Sequence, residues 1–266
     1  MILKTKTWQE FTTTYKEISP DDLLRSYIQC YWFNYADQSS LPARIIPDLC
    51  SDIIIQLSPD LDVLAINICG PNTCFFYSCV DQPTIYFGIR YHLSGMYPFL
   101  RQSLKGMKDQ RFELGLVEKK LTADLVEKLS GKKSLYEIIE STNQYFLEQL
   151  NHLNTKKISR VVGKFLESYH HSLSYSECIA NLTLSERSLQ RLFREETGLS
   201  PYETFDVLRF QKVYQELIRH PEVKHLDLVE KYNFFDQAHY SRKIKKMAGV
   251  TPQEISQHVG ILQDKS

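Results

Sequence analysis

One short pattern occurs twice in this chain, and that duplication limits what the C-terminal part can fold into. The first copy runs Ser185-Glu-Arg187-Ser-Leu189-Gln190-Arg191-Leu-Phe193-Arg194 and closes with Gly198 and Pro201. The second runs Asp236-Gln237-Ala-His239-Tyr240-Ser241-Arg242-Lys-Ile244-Lys245 and closes with Gly249 and Pro252. Matching positions are 51 residues apart throughout. Ser185 and Asp236 carry short side-chain oxygens suited to accept an orphan N–H at a helix start. Gly198 and Gly249 suit the left-handed residue that ends a helix, and Pro201 and Pro252 suit the first turn of the next one.

Within the first copy, Leu189, Leu192 and Phe193 share one helix face, while Arg187, Gln190, Arg191 and Arg194 recur at i, i+3, i+4 and i+7 on another. In the second, Tyr240 and Ile244 turn inward; Ala238, Ser241, Arg242 and Lys245 repeat the outward stripe, with Gln237 and His239 beside it. Helical stretches at 175–182 and 224–232 precede the two caps. Helix, tight turn and a second helix with exposed Arg and Gln describe a helix-turn-helix whose second helix enters the major groove. Arg reads guanine bidentately, Gln reads adenine, and Lys245 and Arg194 suit phosphates. A lone basic stripe is more often a solvated face. The repetition of cap, stripe, Gly and Pro is what turns the reading toward DNA.

These residues resemble the AraC/XylS family of bacterial transcription regulators, over roughly residues 156 to 260. Ser185, Leu189, Arg191, Phe193, Arg194, Gly198 and Pro201 fit the family pattern, and Asp236, Gln237, Arg242, Lys245, Gly249 and Pro252 fit its degenerate repeat. The resemblance implies seven helices, near 156–169, 175–182, 186–197, 201–219, 224–232, 237–247 and 252–259. The fourth would be a linker helix with a core stripe of Phe205, Leu208, Val213 and Leu217. Where the family has a small residue and then Gly, this chain has Ile179 and Thr183, then Val229 and Asn233. Asn tolerates a left-handed turn and Thr does not, so the two turns are expected to differ.

Net charge is zero, but residues 156–266 hold 17 Lys and Arg against 14 Asp and Glu, and the remainder holds 15 against 18. The asymmetry has the sign expected for a DNA-binding C-terminal part. The chain of 266 residues has no long apolar run and no signal-like start, so a cytoplasmic protein without membrane partners is expected. Six cysteines do not make a disulfide scaffold here.

The N-terminal half reads differently. Runs at 27–35, 52–57, 63–68, 74–80 and 84–90 are β-branched and aromatic, punctuated by Pro, Asp, Asn and Gly. From Leu121 the pattern becomes helical. Short strands at this spacing suggest a small barrel or sandwich. Tyr31-Trp32, Arg44-Ile-Ile-Pro47-Asp48, Asp52-Ile-Ile-Ile55, Gly70-Pro71 and Gly88-Ile-Arg90 resemble a cupin-like sensor domain fused to some AraC-type regulators. Before residue 152 the only histidine is His92, so a metal-dependent cupin enzyme is not expected. Cys69, Cys74 and Cys79 lack zinc-knuckle spacing, and Cys69 and Cys79 read as strand-core residues. Trp32, Arg44, Tyr86 and Arg90 are the candidate ligand-binding residues. The competing reading makes the two arginines structural, paired with Asp48 or Asp52. His170 and His171 with Glu167 read as a charged helix end.

The expected architecture is α+β in two domains. Residues 1–150 form a β-rich cupin-like barrel with trailing helices, 151–157 a linker, and 158–266 an all-α domain with two helix-turn-helix units. The expected function is that of a one-component, effector-responsive transcription regulator, not an enzyme, with no cofactor and no metal. Its expected partners are double-stranded promoter DNA and a small-molecule effector, with RNA polymerase and a second copy of the chain as further candidates. The bets for DNA contact are Arg187, Gln190, Arg191, Arg194, Gln237, His239, Ser241, Arg242 and Lys245. Two rival readings are a DNA-alkyl-damage sensor with a reactive N-terminal cysteine, and an effector-free regulator whose N-terminal half only dimerises.

Overall fold

Burial alternates along Ser51–Leu57, because successive side chains of a strand point to opposite faces. Ser51, Ile53, Ile55 and Leu57 are buried, while Asp52, Ile54 and Gln56 are partly exposed. A computed structural model describes residues 15–36, 43–78, 83–100, 102–152, 160–171, 174–180 and 182–257. The strands are β1 (Tyr15–Ile18), β2 (Ile28–Ala36), β3 (Ala43–Ile45), β4 (Ser51–Leu57), β5 (Val63–Cys69), β6 (Phe76–Ser78), β7 (Thr84–Tyr91) and β8 (Arg111–Glu113). The helices of the N-terminal half are α1 (Leu114–Val117), α2 (Lys119–Leu129) and α3 (Leu135–His152). The chain folds into two compact units.

The first unit contains a six-stranded sheet in the order β1-β2-β7-β4-β5-β8, antiparallel throughout. One face is the core. Tyr31, Phe33, Ile53, Ile55, Phe87 and Ile89 cluster there with Leu121 and Leu125 of α2 and with Ile138 and Phe146 of α3. Phe33 and Phe87 stack at 4.7 Å. The β-rich domain with trailing helices is as expected, but its sheet is open. Among the described residues β1 and β8 are its edges, and β3 and β6 pair with each other instead of extending it. The three shortest strands outside the apolar runs (β1, β3 and β8) were not anticipated. Each is only three or four residues long, too short for a periodic pattern to show.

The second unit joins α4 (Arg160–His171), α5 (Tyr175–Ala180), α6 (Glu186–Thr197), α7 (Pro201–Arg219), α8 (His225–Lys231), α9 (Gln237–Ala248) and α10 (Pro252–Gln257) to the β3–β6 ribbon. Residues 43–49 and 71–78 therefore belong with the helices and not with the sheet, unlike a linear division at residue 150. The reason is local packing. A Cβ on Gly249 would lie 2.8 Å from the Phe75 ring, and the Gln211 side-chain amide donates to the Pro47 carbonyl. Of the linker expected at 151–157, residues 153–157 lie outside the described residues, and α3 continues through His152.

Helix α7 has the expected bounds, but its burial is broader than one stripe. Thr204, Phe205, Asp206, Val207, Arg209 and Phe210 are all buried. On one side, Phe205 meets Tyr169 and Tyr175 edge-on at 5.6 and 5.7 Å. On the other, buried Arg209 binds Asp206 at 2.6 Å, donates to the Asn233 carbonyl at 3.1 Å, and lies 4.2 Å from the Phe234 ring centre. Lys243 of α9 also pairs with Asp206. Removing one partner of a buried, hydrogen-bonded charge pair strands the other. We predict that Arg209→Ala costs about 3 kcal/mol, the low end for such a loss because Lys243 still serves Asp206. Chemical denaturation monitored by circular dichroism reads this directly.

Candidate nucleic-acid interface

Each recognition helix is fixed at both ends by the residues the repeat duplicates. The Ser185 side chain accepts from the Ser188 N–H at 3.3 Å, and Asp236 accepts from the His239 N–H at 2.6 Å. Gly198 and Gly249 both adopt φ +78° as C-caps. Leu189 and Phe193 anchor α6 in its core, with Phe193 edge-on to Phe165 at 5.1 Å. Tyr240, Ile244 and Met247 anchor α9. With those faces committed, the opposite faces point to solvent. Arg187, Arg191 and Arg194 on α6, and Gln237, Arg242 and Lys245 on α9, are exposed; Gln190, His239 and Ser241 are half-buried beside them. Each helix thus collects its predicted residues on its own outer face.

The two turns differ as Thr183 and Asn233 imply. Asn233 takes φ +52°, and the Phe234 N–H closes the turn on the Val229 carbonyl at 2.9 Å. Thr183 is not among the positive-φ residues, and the first turn instead closes from the Leu182 N–H to the Ile179 carbonyl at 3.0 Å. The Phe235 N–H then donates to His239 Nδ1 at 3.5 Å, which places the neutral imidazole's proton on Nε2. Burial, then the Arg209 and Lys243 charges, hold His239 below its ordinary pKa. Sequence reasoning missed Phe235, whose side chain is 90% exposed one residue before the cap of α9. A double Phe before a cap was the available signal, since one ring closes the turn and the second is left over.

In the first unit, the partly exposed sheet face brings together three of the four predicted ligand residues. Trp32, Tyr86 and Arg90 alternate with core positions on β2 and β7 and share the side of Asp52 and Gln56. Trp32 Nε1 donates to Asp52 Oδ1 at 2.8 Å, and Arg90 lies 3.4 Å from both Asp52 and Glu17. Arg90 is therefore engaged by carboxylates, Asp52 among them as the structural alternative required. Arg44 is placed elsewhere. It stands on β3 in the second unit, where its guanidinium bonds to the Tyr77 hydroxyl at 3.1 Å. Gly88 lies directly beneath the Trp32 indole, which comes within 1.9 Å of where a Cβ would be. Cys69 is buried in β5, and burial raises its thiol to about 11. Cys79 lies outside the described residues. Among the described residues no cluster of His, Cys, Asp and Glu suits a metal, and no helix is long and apolar enough to cross a membrane.

Residues 179–258 match a family described as a helix-turn-helix domain, and residues 16–113 match one described as a domain of unknown function, DUF6597. The C-terminal domain is of the AraC type. The HTH-type transcriptional activator RhaS of Klebsiella pneumoniae (strain 342) is 24% identical over 104 residues, 39% of this chain and 37% of that protein. RhaS of Mannheimia succiniciproducens is 21% identical over 166 residues, covering 57% of this chain and 61% of that protein. The chain thus spans under two thirds of the length of these relatives. The crystal structure of ToxT from Vibrio cholerae O395 aligns over 95% of this chain and 100% of that one, at 12% identity and a TM-score of 0.39. That score fixes no residue-by-residue correspondence.

Two outcomes follow from the AraC-type domain's His239 and from the Trp32 stack. In the free protein the His239 ring protons, assigned with His239→Gln, should titrate with a midpoint below 6.5. The unfolded imidazole takes up its proton near 6.5 and the folded one only lower. This contribution to stability is therefore complete above that pH and lost as pH falls through the folded pKa. Gly88→Ala should displace the Trp32 indole from Asp52, shift tryptophan fluorescence, and cost about 2 kcal/mol in thermal or chemical melts.

Proposed function

We propose that this protein is a sequence-specific, DNA-binding transcription regulator that acts in the cytoplasm and reads two successive major-groove segments. The observation that carries the reading is the outer face of α6 and of α9. Each is a capped helix with its apolar side buried and its basic side chains in water, Arg187, Arg191 and Arg194 on α6 and Arg242 and Lys245 on α9. Recognition helices of this kind sit in major grooves about one helical turn apart. In this reading Arg187, Gln190 and Arg191, then Gln237, His239, Ser241 and Arg242, contact bases, while Arg194 and Lys245 hold phosphates.

Effector response is the second part of the proposal, and the half-buried face carrying Trp32, Tyr86 and Arg90 supports it. Arg90 already faces Asp52 and Glu17, so a ligand there meets two carboxylates as well as one guanidinium. The alkyl-damage reading needs a thiol with a lowered pKa. Cys69 shows the opposite shift.

Selection from a randomised duplex pool at fixed salt tests the reading. An asymmetric site of two short blocks about one turn apart is expected. On that site, Arg191→Ala and Arg242→Ala should each relax preference at one base pair, by about 1–3 kcal/mol. Lys245→Ala should weaken all sequences alike and lower the salt slope by about 1. A pool without enrichment, or variants whose base preferences match the wild type at every position, would sink the assignment.

A further inference from the structure

We propose that Phe235 is a specificity-determining residue that packs its ring against the C5-methyl group of a thymine at the edge of the second recognition block. The inference rests on the DNA-binding reading above and adds a contact that the polar stripe does not supply. Phe235 is 90% exposed, whereas the ring before it, Phe234, is buried against Tyr240 at 5.2 Å and under Arg209. A hydrophobic residue just before a helix cap commonly staples onto the fourth helical residue. Here that residue is Tyr240, and Phe234 and His225 already flank it, so Phe235 is left in solvent.

Single exposed apolar side chains are ordinary on protein surfaces, and the place of this one is what matters. The first residues of a recognition helix are those that reach base edges. Phe235 precedes the first helical residue, Gln237, by two positions, so the two backbones are at most about 7 Å apart. Its backbone is held on both sides. Asn233 occupies a left-handed turn at φ +52°, Asp236 caps the helix, and the Phe235 N–H is taken by His239. Exposed Arg242, Lys245 and Lys246 follow on α9 and would hold the duplex close. A phenyl ring offers no hydrogen bond, and the apolar feature of a major-groove edge is the thymine methyl. In the first unit of the repeat the residue in the same place is Leu184, which is 36% exposed, so the asymmetry favours the second block.

The test uses the full chain and a duplex that the wild type enriches from a randomised pool, with each thymine replaced singly by deoxyuridine. That replacement removes only the methyl. The wild type should lose about fivefold in affinity at one or two thymines beside the second block, the low end of a base contact. Phe235→Ala should lose about the same factor on the parent duplex and then be indifferent to deoxyuridine there. A melting curve like the wild type's would show that the variant is folded. Unchanged affinity of the variant, or losses that simply add at every thymine, would overturn the contact while leaving the DNA-binding reading intact. If the wild type enriches no sequence and Arg242→Ala binds as the wild type does, both fall together.

Discussion

The second helix-turn-helix depends on one buried guanidinium. Arg209 comes from the middle of α7, binds Asp206 three residues earlier, and reaches the carbonyl of Asn233, the left-handed residue that shapes the turn. Its flat face covers Phe234, and Asp206 reaches on to Lys243 of α9. A buried charge is tolerated only when paired and hydrogen-bonded. That condition is met by binding helix, turn and recognition helix to one another. The angle at which α9 leaves its turn is thereby set from α7, and the residues of the outer stripe inherit that angle. The first helix-turn-helix is attached to α7 by different means. Tyr175 of α5 packs edge-on against Tyr202 and Phe205 of α7.

This difference explains why the two repeats tolerate unlike turns. A turn through Asn233 exposes a carbonyl at a fixed place, and Arg209 takes it. Thr183 itself stays out of the left-handed region, and the Leu182 N–H closes on the Ile179 carbonyl. Duplicated sequences diverge most readily where the local hydrogen bonds can be satisfied in more than one way, as buried backbone groups require only that some partner exist. The caps and closing glycines have fewer alternatives. Ser185, Asp236, Gly198 and Gly249 accordingly occupy the same roles in both copies.

The helices of the C-terminal domain were legible because caps, glycines and prolines act locally. The family resemblance put a helix at 201–219, and α7 runs from Pro201 to Arg219 with Pro201 in its first turn. What could not be read depended on distant partners. Arg209 looks like any basic residue of a surface helix until Asn233 and Phe234 are brought to it. Arg44 shared a pattern with Trp32 and Arg90, yet β3 pairs with β6 and follows it into the other unit. Phe75 and Pro47 decide that placement, and neither stands out in sequence because the groups they meet, Gly249 and Gln211, lie more than a hundred residues away.

The sheet face of the first unit shows the same limit from another side. Side chains alternate across a strand, so Trp32, Tyr86 and Arg90 fall on one face of β2 and β7 together. Alternation says nothing about which charges meet across strands. Register does, and it sets Asp52 opposite Arg90 and Glu17 opposite Trp32. Gly88 opposite Trp32 completes the arrangement, because only a residue without a Cβ lets the indole lie flat enough to reach Asp52. An arginine that in sequence suggests an anion site is, in the fold, one member of a carboxylate-rich cluster. Any ligand for this face has to satisfy Asp52 and Glu17 as well as Arg90, which favours groups that donate hydrogen bonds over a bare anion.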